Sequence, residues 1–417
     1  MAIGTIFNNS KIGRKCMKLV IIGNGIAGVK VAEVVRRFSD EIEIKLFTDE
    51  NYGYYSRVWL PQVISGGKTV EEIIMHDAEW YTGKNIEFYQ GTKVAGINPG
   101  AKQVTLESGD SVSYDALCLC TGASCNLPPF KNVDVKGVFT LRTIDDALAI
   151  KAYIKGKKNA VCIGGGLLGL EAARNVAKTG LNTTVVEILP RLLPRQMCST
   201  SATILEEKIN SLGIKTITGA NVDEILGKDH ATGVKLADGR ILKADVVLIS
   251  SGIKPRFEIF QDAGLTINKG LVVNEFMKTS DENIYAAGDV VEFNNRGWGI
   301  IPAAVDQAEV AGKKIAGAPC DPYEPTVPSN KLKIMDFDVM AVGSMILDDE
   351  DEECKVFISK DELKGIYKKF VVREGRLIGS ILISAKEDEQ FVADNINKQI
   401  PEDDIQARLT IPEENAE

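Results

Sequence analysis

Residues 18–23, Lys-Leu-Val-Ile-Ile-Gly, form a short apolar run that ends in glycine. A run of this length between polar flanks reads as a strand buried on both faces of a sheet. Val31, Val34 and Val35 then recur at helical spacing, and a second strand-like run, Ile-Glu-Ile-Lys-Leu-Phe, occupies residues 42–47. The same series returns later. Residues 159–164 read Asn-Ala-Val-Cys-Ile-Gly, Leu170, Ala173 and Ala177 follow at helical spacing, and residues 183–187 read Thr-Thr-Val-Val-Glu. Each copy is strand, glycine turn, helix, strand, the βαβ unit of a parallel sheet.

The repeat continues downstream. Leu106-Glu107-Ser108-Gly109-Asp110 is matched by Leu236-Ala237-Asp238-Gly239-Arg240, each a glycine-containing turn between short strands. An apolar strand ending in glycine follows each turn, from Ala116 to Gly122 and from Val246 to Gly252. Two copies of one extended module imply two nucleotide sites. Beyond them Pro319, Pro322, Pro325 and Pro328 mark a linker. After it, residues 368–372 and 377–383 flank Arg373-Glu374-Gly375-Arg376, a β-hairpin pattern in a small α+β domain.

The glycines carry the candidate chemistry. In the first copy Gly23, Gly25, Ile26, Ala27 and Gly28 form a G-x-G-x-x-G turn between strand and helix. Such a turn lets the backbone approach a pyrophosphate, and the helix N-terminus offers N–H donors to it. An acid near the end of the second strand should hydrogen-bond ribose hydroxyls; Asp49 and Glu50 stand 21 and 22 residues past Gly28. In the second copy the glycine turn is Gly164, Gly166, Leu167 and Gly169, with Glu187 lying 18 residues past Gly169. A glutamate there repels a 2′-phosphate and so favours NADH over NADPH, a preference that Arg191 and Arg195 weaken without reversing.

Composition narrows the classes. The 417 residues allow about three domains, and the net charge of −9 argues against a nucleic-acid partner. The eight cysteines show neither C-x-x-C nor zinc spacing, and no metal ligand set is apparent. Several lie in apolar runs as small hydrophobes, which suits a reducing cytoplasm. His76 and His230 lie in no motif and read as surface residues. No signal peptide or membrane-spanning run is expected, and the acidic C-terminal stretch lacks the basic face of a membrane anchor. The acidic run 348–353 reads as a solvated loop.

With these motifs in hand, residues 18–385 resemble the FAD-dependent pyridine nucleotide oxidoreductases. Ile284-Tyr285-Ala286-Ala287-Gly288-Asp289-Val290 resembles that family's second FAD signature, in which the aspartate, here Asp289 after Gly288, binds the ribityl chain. Cys120-Thr121-Gly122-Ala123 resembles its A-T-G strand end at FAD, and Ser251-Gly252-Ile253-Lys254-Pro255 the counterpart returning from the NAD domain. Thr92-Lys93-Val94 is similar to the segment whose backbone meets adenine. The resemblance also implies that Arg142 lies near FAD, although a surface ion pair fits that residue equally. It implies that the helix opened by Ile301-Pro302-Ala303-Ala304-Val305 points its N-terminus at the flavin, and that Glu171 stands beside the nicotinamide carboxamide; an exposed first-turn glutamate is the alternative for Glu171. Tyr54-Tyr55-Ser56-Arg57-Val58-Trp59-Leu60 resembles a segment of NADH:rubredoxin oxidoreductases and of the flavin half of nitrite reductases, placing Arg57 close to the flavin.

The fold implied is α/β: two Rossmann-like dinucleotide-binding domains, one inserted in the other, plus a small C-terminal α+β domain. The boundaries expected are an extension at 1–17, an FAD-binding domain at 18–124 and 255–322, an NAD-binding domain at 125–254, and a C-terminal domain with acidic tail at 323–417. Disulfide reductases and peroxidases of the family need cysteine between the first ribose acid and the adenine strand. None occurs here between Cys16 and Cys118, so a thiol relay or redox-active disulfide is not expected there. The resemblance therefore implies that NADH reduces FAD, with no side-chain acid or base needed, and that electrons pass to an outside acceptor such as rubredoxin. An NADH oxidase, a nitrite reductase component and a redox sensor like the apoptosis-inducing flavoproteins are the alternatives. The protein is expected as a monomer or homodimer; an acidic carrier would want a basic docking patch, which the acidic chain as a whole does not offer, and the cluster Lys368, Lys369, Arg373 and Arg376 is one local place for it.

Overall fold

The computed structural model describes residues 16–326, 329–334, 337–343 and 353–411. Most of the N-terminal extension, Pro328 and residues 348–352 of the acidic run lie outside the described residues. The chain divides into two compact units. One holds the chain up to Tyr55 with Met75–Ala123 and Pro255–Glu324; the other holds Ser56–Ile74, Ser124–Lys254 and the chain from Pro325 on.

The first unit is built on a five-stranded parallel sheet. Its order is Ile284–Ala286, Ala116–Leu119, Lys18–Ile22, Glu43–Phe47, Ile86–Tyr89. Lys18–Ile22 pairs in parallel with strands on both sides, which is why Leu19, Val20 and Ile21 are all buried. The helix Ile26–Phe38 packs Val31, Val34 and Val35 inward, the face its spacing predicts. Val94–Asn98, Gln103–Leu106 and Ser111–Ser113 make an antiparallel three-stranded sheet beside it in sequence.

The second unit repeats this plan. Its parallel sheet runs Val138–Phe139, Val246–Ile249, Asn159–Ile163, Asn182–Val186, Lys215–Ile217, with an antiparallel trio of Val222–Leu226, Gly233–Leu236 and Ile241–Lys243. The correspondence extends to single hydrogen bonds. Leu106 N–H donates to Asp110 O at 2.8 Å, and Leu236 N–H to Arg240 O at 2.9 Å. The copies differ at the outermost strand. In the first unit it comes from the end of the module, at 284–286; in the second it precedes the module, at 138–139.

The C-terminal segment forms an antiparallel five-stranded sheet in the order Ser329–Ile334, Phe337–Gly343, Arg376–Ile383, Ile366–Arg373, Cys354–Asp361. The expected hairpin is present, with Arg373 opposite Arg376. Two of the four residues of the candidate basic cluster are not at the surface. Lys368 is 1% exposed and Lys369 is 5% exposed, because both faces of Ile366–Arg373 are covered. Phe370 and Val372 enter a core with Val392 and Ile405, while the helix Ser199–Ser211 packs on the same strand. The Lys368 ammonium is satisfied by Asp388 at 2.7 Å, Glu387 at 3.0 Å and the carbonyls of Arg408 and Thr410. Among the described residues no helix is long and apolar enough to cross a membrane.

Removing one partner from a buried ion pair strands the other charge. Lys368→Met should therefore cost about 3–5 kcal/mol in denaturant unfolding, and Lys368→Met combined with Asp388→Leu should recover most of that loss.

Candidate functional site

In each glycine turn, two of the three glycines are explained by the chain's own packing. Gly23 and Gly164 adopt φ +111° and +114°, and a Cβ on either would overlap the carbonyl of Cys120 or Ser250. A Cβ on Gly28 would overlap Gly23 O, and one on Gly169 would overlap Gly164 O, so the helix can lie against the strand only without side chains there. The middle glycine is different. A Cβ on Gly25 or on Gly166 would meet nothing within 4 Å. The chain itself leaves these two places open, and each is the N-cap of a helix with no capping side chain and no acid in its first turn. Backbone N–H groups at such a start are donors in need of an acceptor, with the helix dipole favouring an anion. Both turns therefore fit a pyrophosphate.

In the first unit the distant signature closes on this turn. A Cβ on Gly288 would stand 3.0 Å from Ala27 Cβ, so the loop carrying Asp289 lies against the start of the glycine helix. Gly288 N–H donates to the buried Gln307 Oε1 at 2.9 Å, which ties the loop to the helix Ile301–Ile315 that also carries the half-buried Val305. That helix begins without a capping side chain or first-turn acid, with proline in its first turn. Thr121 Oγ1 donates to Arg256 O at 2.6 Å, Arg256 N–H donates to Gly122 O at 2.9 Å, and Val94 is buried at the start of its strand. Asp49 pairs with Arg256 at 2.8 Å, and Glu50 accepts from the Tyr55 hydroxyl.

The two sets of acids are not at equivalent positions. Gly23 N–H donates to Phe47 O, and Gly164 N–H to Val186 O, both at 2.8 Å. That shared register aligns Glu187 with Thr48, not with Asp49 or Glu50. Glu187 is 7% exposed and its carboxylate accepts from Gly165 N–H at 2.6 Å and from Leu189 N–H at 2.8 Å. It thus holds the glycine turn in shape while it lines the cavity beside that turn.

That cavity, of about 830 Å³, lies wholly within the second unit. Gly164, Gly166, Leu167, Glu187 and Gly252 line it, as does Arg142; Gly169 is buried behind. Glu171 is not among the lining residues. It sits half-buried in the second turn of the helix Leu167–Ala177, not exposed in the first, because that helix begins at Leu167. Arg57 and Arg142 meet in this unit: the Arg57 guanidinium donates to Arg142 O, and Arg142 N–H donates to Asp146 at 2.8 Å, beside the capping box of Thr143. Spacing alone missed Cys125, Ile188, Asn221 and Asp223 at the cavity wall. Ile188 is 60% exposed, an apolar side chain at the rim that the sequence shows only as an isoleucine directly after the strand-end acid Glu187. Burial pushes the Cys125 thiol pKa upward, so it stays protonated. No cysteine forms a disulfide.

Comparison with known proteins accords with this geometry. Residues 17–308 match the pyridine nucleotide-disulphide oxidoreductase family, and residues 328–400 match the rubredoxin NAD+ reductase C-terminal domain. The chain belongs to the pyridine nucleotide-disulphide oxidoreductase family, a family of FAD- and NADH-dependent oxidoreductases. Within it, the chain is 33% identical to the assimilatory nitrate reductase electron transfer subunit of Bacillus subtilis, over 92% of this chain and 50% of that protein. It is 36% identical to an NADH oxidase of Methanocaldococcus jannaschii (78% and 76%), and 31% identical to the NADH-rubredoxin oxidoreductase of Clostridium acetobutylicum (89% and 93%). The ferredoxin reductase for the CYP199A2 system of Rhodopseudomonas palustris superposes with TM-score 0.82 at 28% identity, covering 90% of this chain and 93% of that one. The chain spans about half the length of the first of these curated relatives.

The open glycines can be tested separately. Gly25→Val should give a colourless protein that has lost its flavin. Gly166→Val should stay yellow but no longer be bleached by NADH. Absorbance of the purified variants before and after anaerobic NADH reads both outcomes.

Proposed function

We propose that the first unit holds FAD, that the cavity of the second unit holds NADH, and that electrons leave to a small acidic carrier protein of rubredoxin type. The observation that carries this reading is the pair of open, uncapped glycine turns, one beside Asp289 and one beside Glu187. In this reading the NAD-binding domain at 125–254 is inserted in the FAD-binding domain, while Ser56–Ile74 and the chain from Pro325 on group with the second unit.

When bound, FAD accepts hydride from NADH and can release electrons singly. The chain's own part is binding and orientation. Gly23, Gly25, Ile26, Ala27 and Gly28 present backbone donors to the FAD pyrophosphate, and Asp289 holds the ribityl chain. Asp49 and Glu50 stand at the ribose, with Val94, Thr121 and Gly122 along the adenosine and flavin path. The N-terminus of the helix carrying Val305 places positive potential at the flavin. Gly164, Gly166, Leu167 and Gly169 take the NADH pyrophosphate, Glu187 the adenosine ribose, and Gly252 the return strand. The family resemblance assigns Arg57 and Arg142 to FAD and Glu171 to the nicotinamide carboxamide. The apolar wall of Ile163, Leu167 and Val186 limits water in the nucleotide cavity.

Three observations support a protein acceptor. The C-terminal segment matches the domain of rubredoxin NAD+ reductases. One relative is a rubredoxin oxidoreductase. No cysteine lies where a thiol relay would take the electrons. Stopped-flow mixing of NADH-reduced protein with rubredoxin, a ferredoxin, oxygen and a sirohaem nitrite reductase partner decides among them. Rubredoxin should reoxidise the flavin fastest; oxygen reacting as fast as any carrier would make the protein an oxidase instead.

Glu187 generates a second test. Glu187→Gln replaces one of two carboxylate acceptors with a donor, facing the N–H of Gly165 or Leu189. KM for NADH should rise about 10- to 100-fold, and the preference over NADPH should narrow, as read by steady-state kinetics with both nucleotides.

A further inference from the structure

The second residue of the first glycine turn, Asn24, is held from an unexpected direction. Tyr81 Oη donates to Asn24 Oδ1 at 2.8 Å and accepts from Tyr54 N–H at 3.0 Å. The two partners of this hydroxyl belong to different parts of the site. Asn24 is flanked by Gly23 and the open Gly25. Tyr54 precedes Tyr55, whose hydroxyl donates to Glu50. One phenol therefore joins the phosphate turn to the segment that holds an acid at the ribose.

The arrangement is built to keep that phenol in place. Tyr81 is 1% exposed, in the short helix Ala78–Gly83, where Asp77 caps Trp80 N–H at 3.1 Å. Its ring stacks on Phe88 at 4.1 Å and meets Trp80 edge-on at 4.9 Å. Trp80 stacks in turn on His76 at 3.9 Å, and His76 lies 5.2 Å from Tyr54. His76 is thus half-buried against these rings, not free at the surface; burial lowers its pKa and keeps it neutral. Burial raises the Tyr81 pKa to about 12, so the hydroxyl keeps its proton at neutral pH. Because the oxygen accepts from Tyr54, that proton is directed at Asn24. The second unit solves the same problem differently, with Glu187 gripping Gly165 N–H at the equivalent turn position.

We propose that Tyr81 is a positioning residue for the first nucleotide site: its hydroxyl fixes Asn24, and through it the turn that receives the FAD pyrophosphate. The proposal rests on the reading that the first unit holds FAD. It concerns residues that touch no reacting atom, so its effect is on cofactor affinity and not on hydride transfer.

The test is FAD affinity, measured by fluorescence quenching as FAD is added to apoprotein of the full chain. Tyr81→Phe keeps the rings and removes the donor; Asn24→Ala removes the acceptor from a half-buried position. Each should raise the FAD Kd about tenfold, and the double variant should be no weaker than either single one. KM for NADH at saturating FAD should stay at the wild-type value. An unchanged Kd in Tyr81→Phe, additive losses in the double variant, or a parallel rise in KM for NADH would each overturn the proposal. If Tyr81→Phe does not fold, Asn24→Ala decides alone: a wild-type Kd overturns the proposal and a tenfold loss sustains it. Gly25→Val separates the two levels. If it too binds FAD normally, the assignment of FAD to the first unit is at fault; if it alone loses FAD, only the role of Tyr81 is.

Discussion

The structure depends on one steric constraint: at two places strand and helix meet too closely for any side chain, and the middle glycine of the same turn faces open space. Gly23, Gly28, Gly164 and Gly169 are required by contacts the chain makes with itself. Gly25 and Gly166 are not, since a side chain there would stand in open space. A helix start left uncapped, with no acid nearby, carries partial positive charge and donors without acceptors. The remaining features of each unit serve this opening. The parallel sheets set the height of the turn, the helices Ile26–Phe38 and Leu167–Ala177 aim their N-termini at it, and the strand ends bring Thr48 and Glu187 to its side.

Given that shared constraint, the differences between the two units carry the functional information. In the second, a buried carboxylate both shapes the turn and lines the cavity beside it. In the first, shape and recognition are divided. Tyr81 and Asn24 hold the turn, Thr48 takes the place of the glutamate, and Asp49 and Glu50 are displaced along the chain. The first unit also receives Gly288 and Asp289 from far downstream, packed against Ala27.

Much of this was legible in the sequence. Strands buried on both faces are written as apolar runs, and glycines demanded by backbone contact have no substitute, so the repeat and its turns stand out. The Gly288-Asp289 segment was legible through resemblance. What was hidden depends on partners distant along the chain. Spacing aligned Asp49 and Glu50 with Glu187 because it counts residues and not register. Lys368 and Lys369 read as surface charge because nothing local reveals Asp388 beside one of them or the covered faces of their strand. Asn24 and Tyr81 are 57 residues apart, and neither type signals the pairing. For Glu171 only the alternative reading, an exposed first-turn residue, does not hold, since it stands half-buried in the second turn of its helix.

The central claim is that the two turns take different dinucleotides and that one reduces the other. Anaerobic titration of the purified holoprotein with NADH, after its flavin content is measured, tests this most directly. The account requires a single FAD per chain, bleached in full by a single equivalent of NADH. Two flavins per chain, no flavin, or a flavin band that NADH leaves untouched would contradict it.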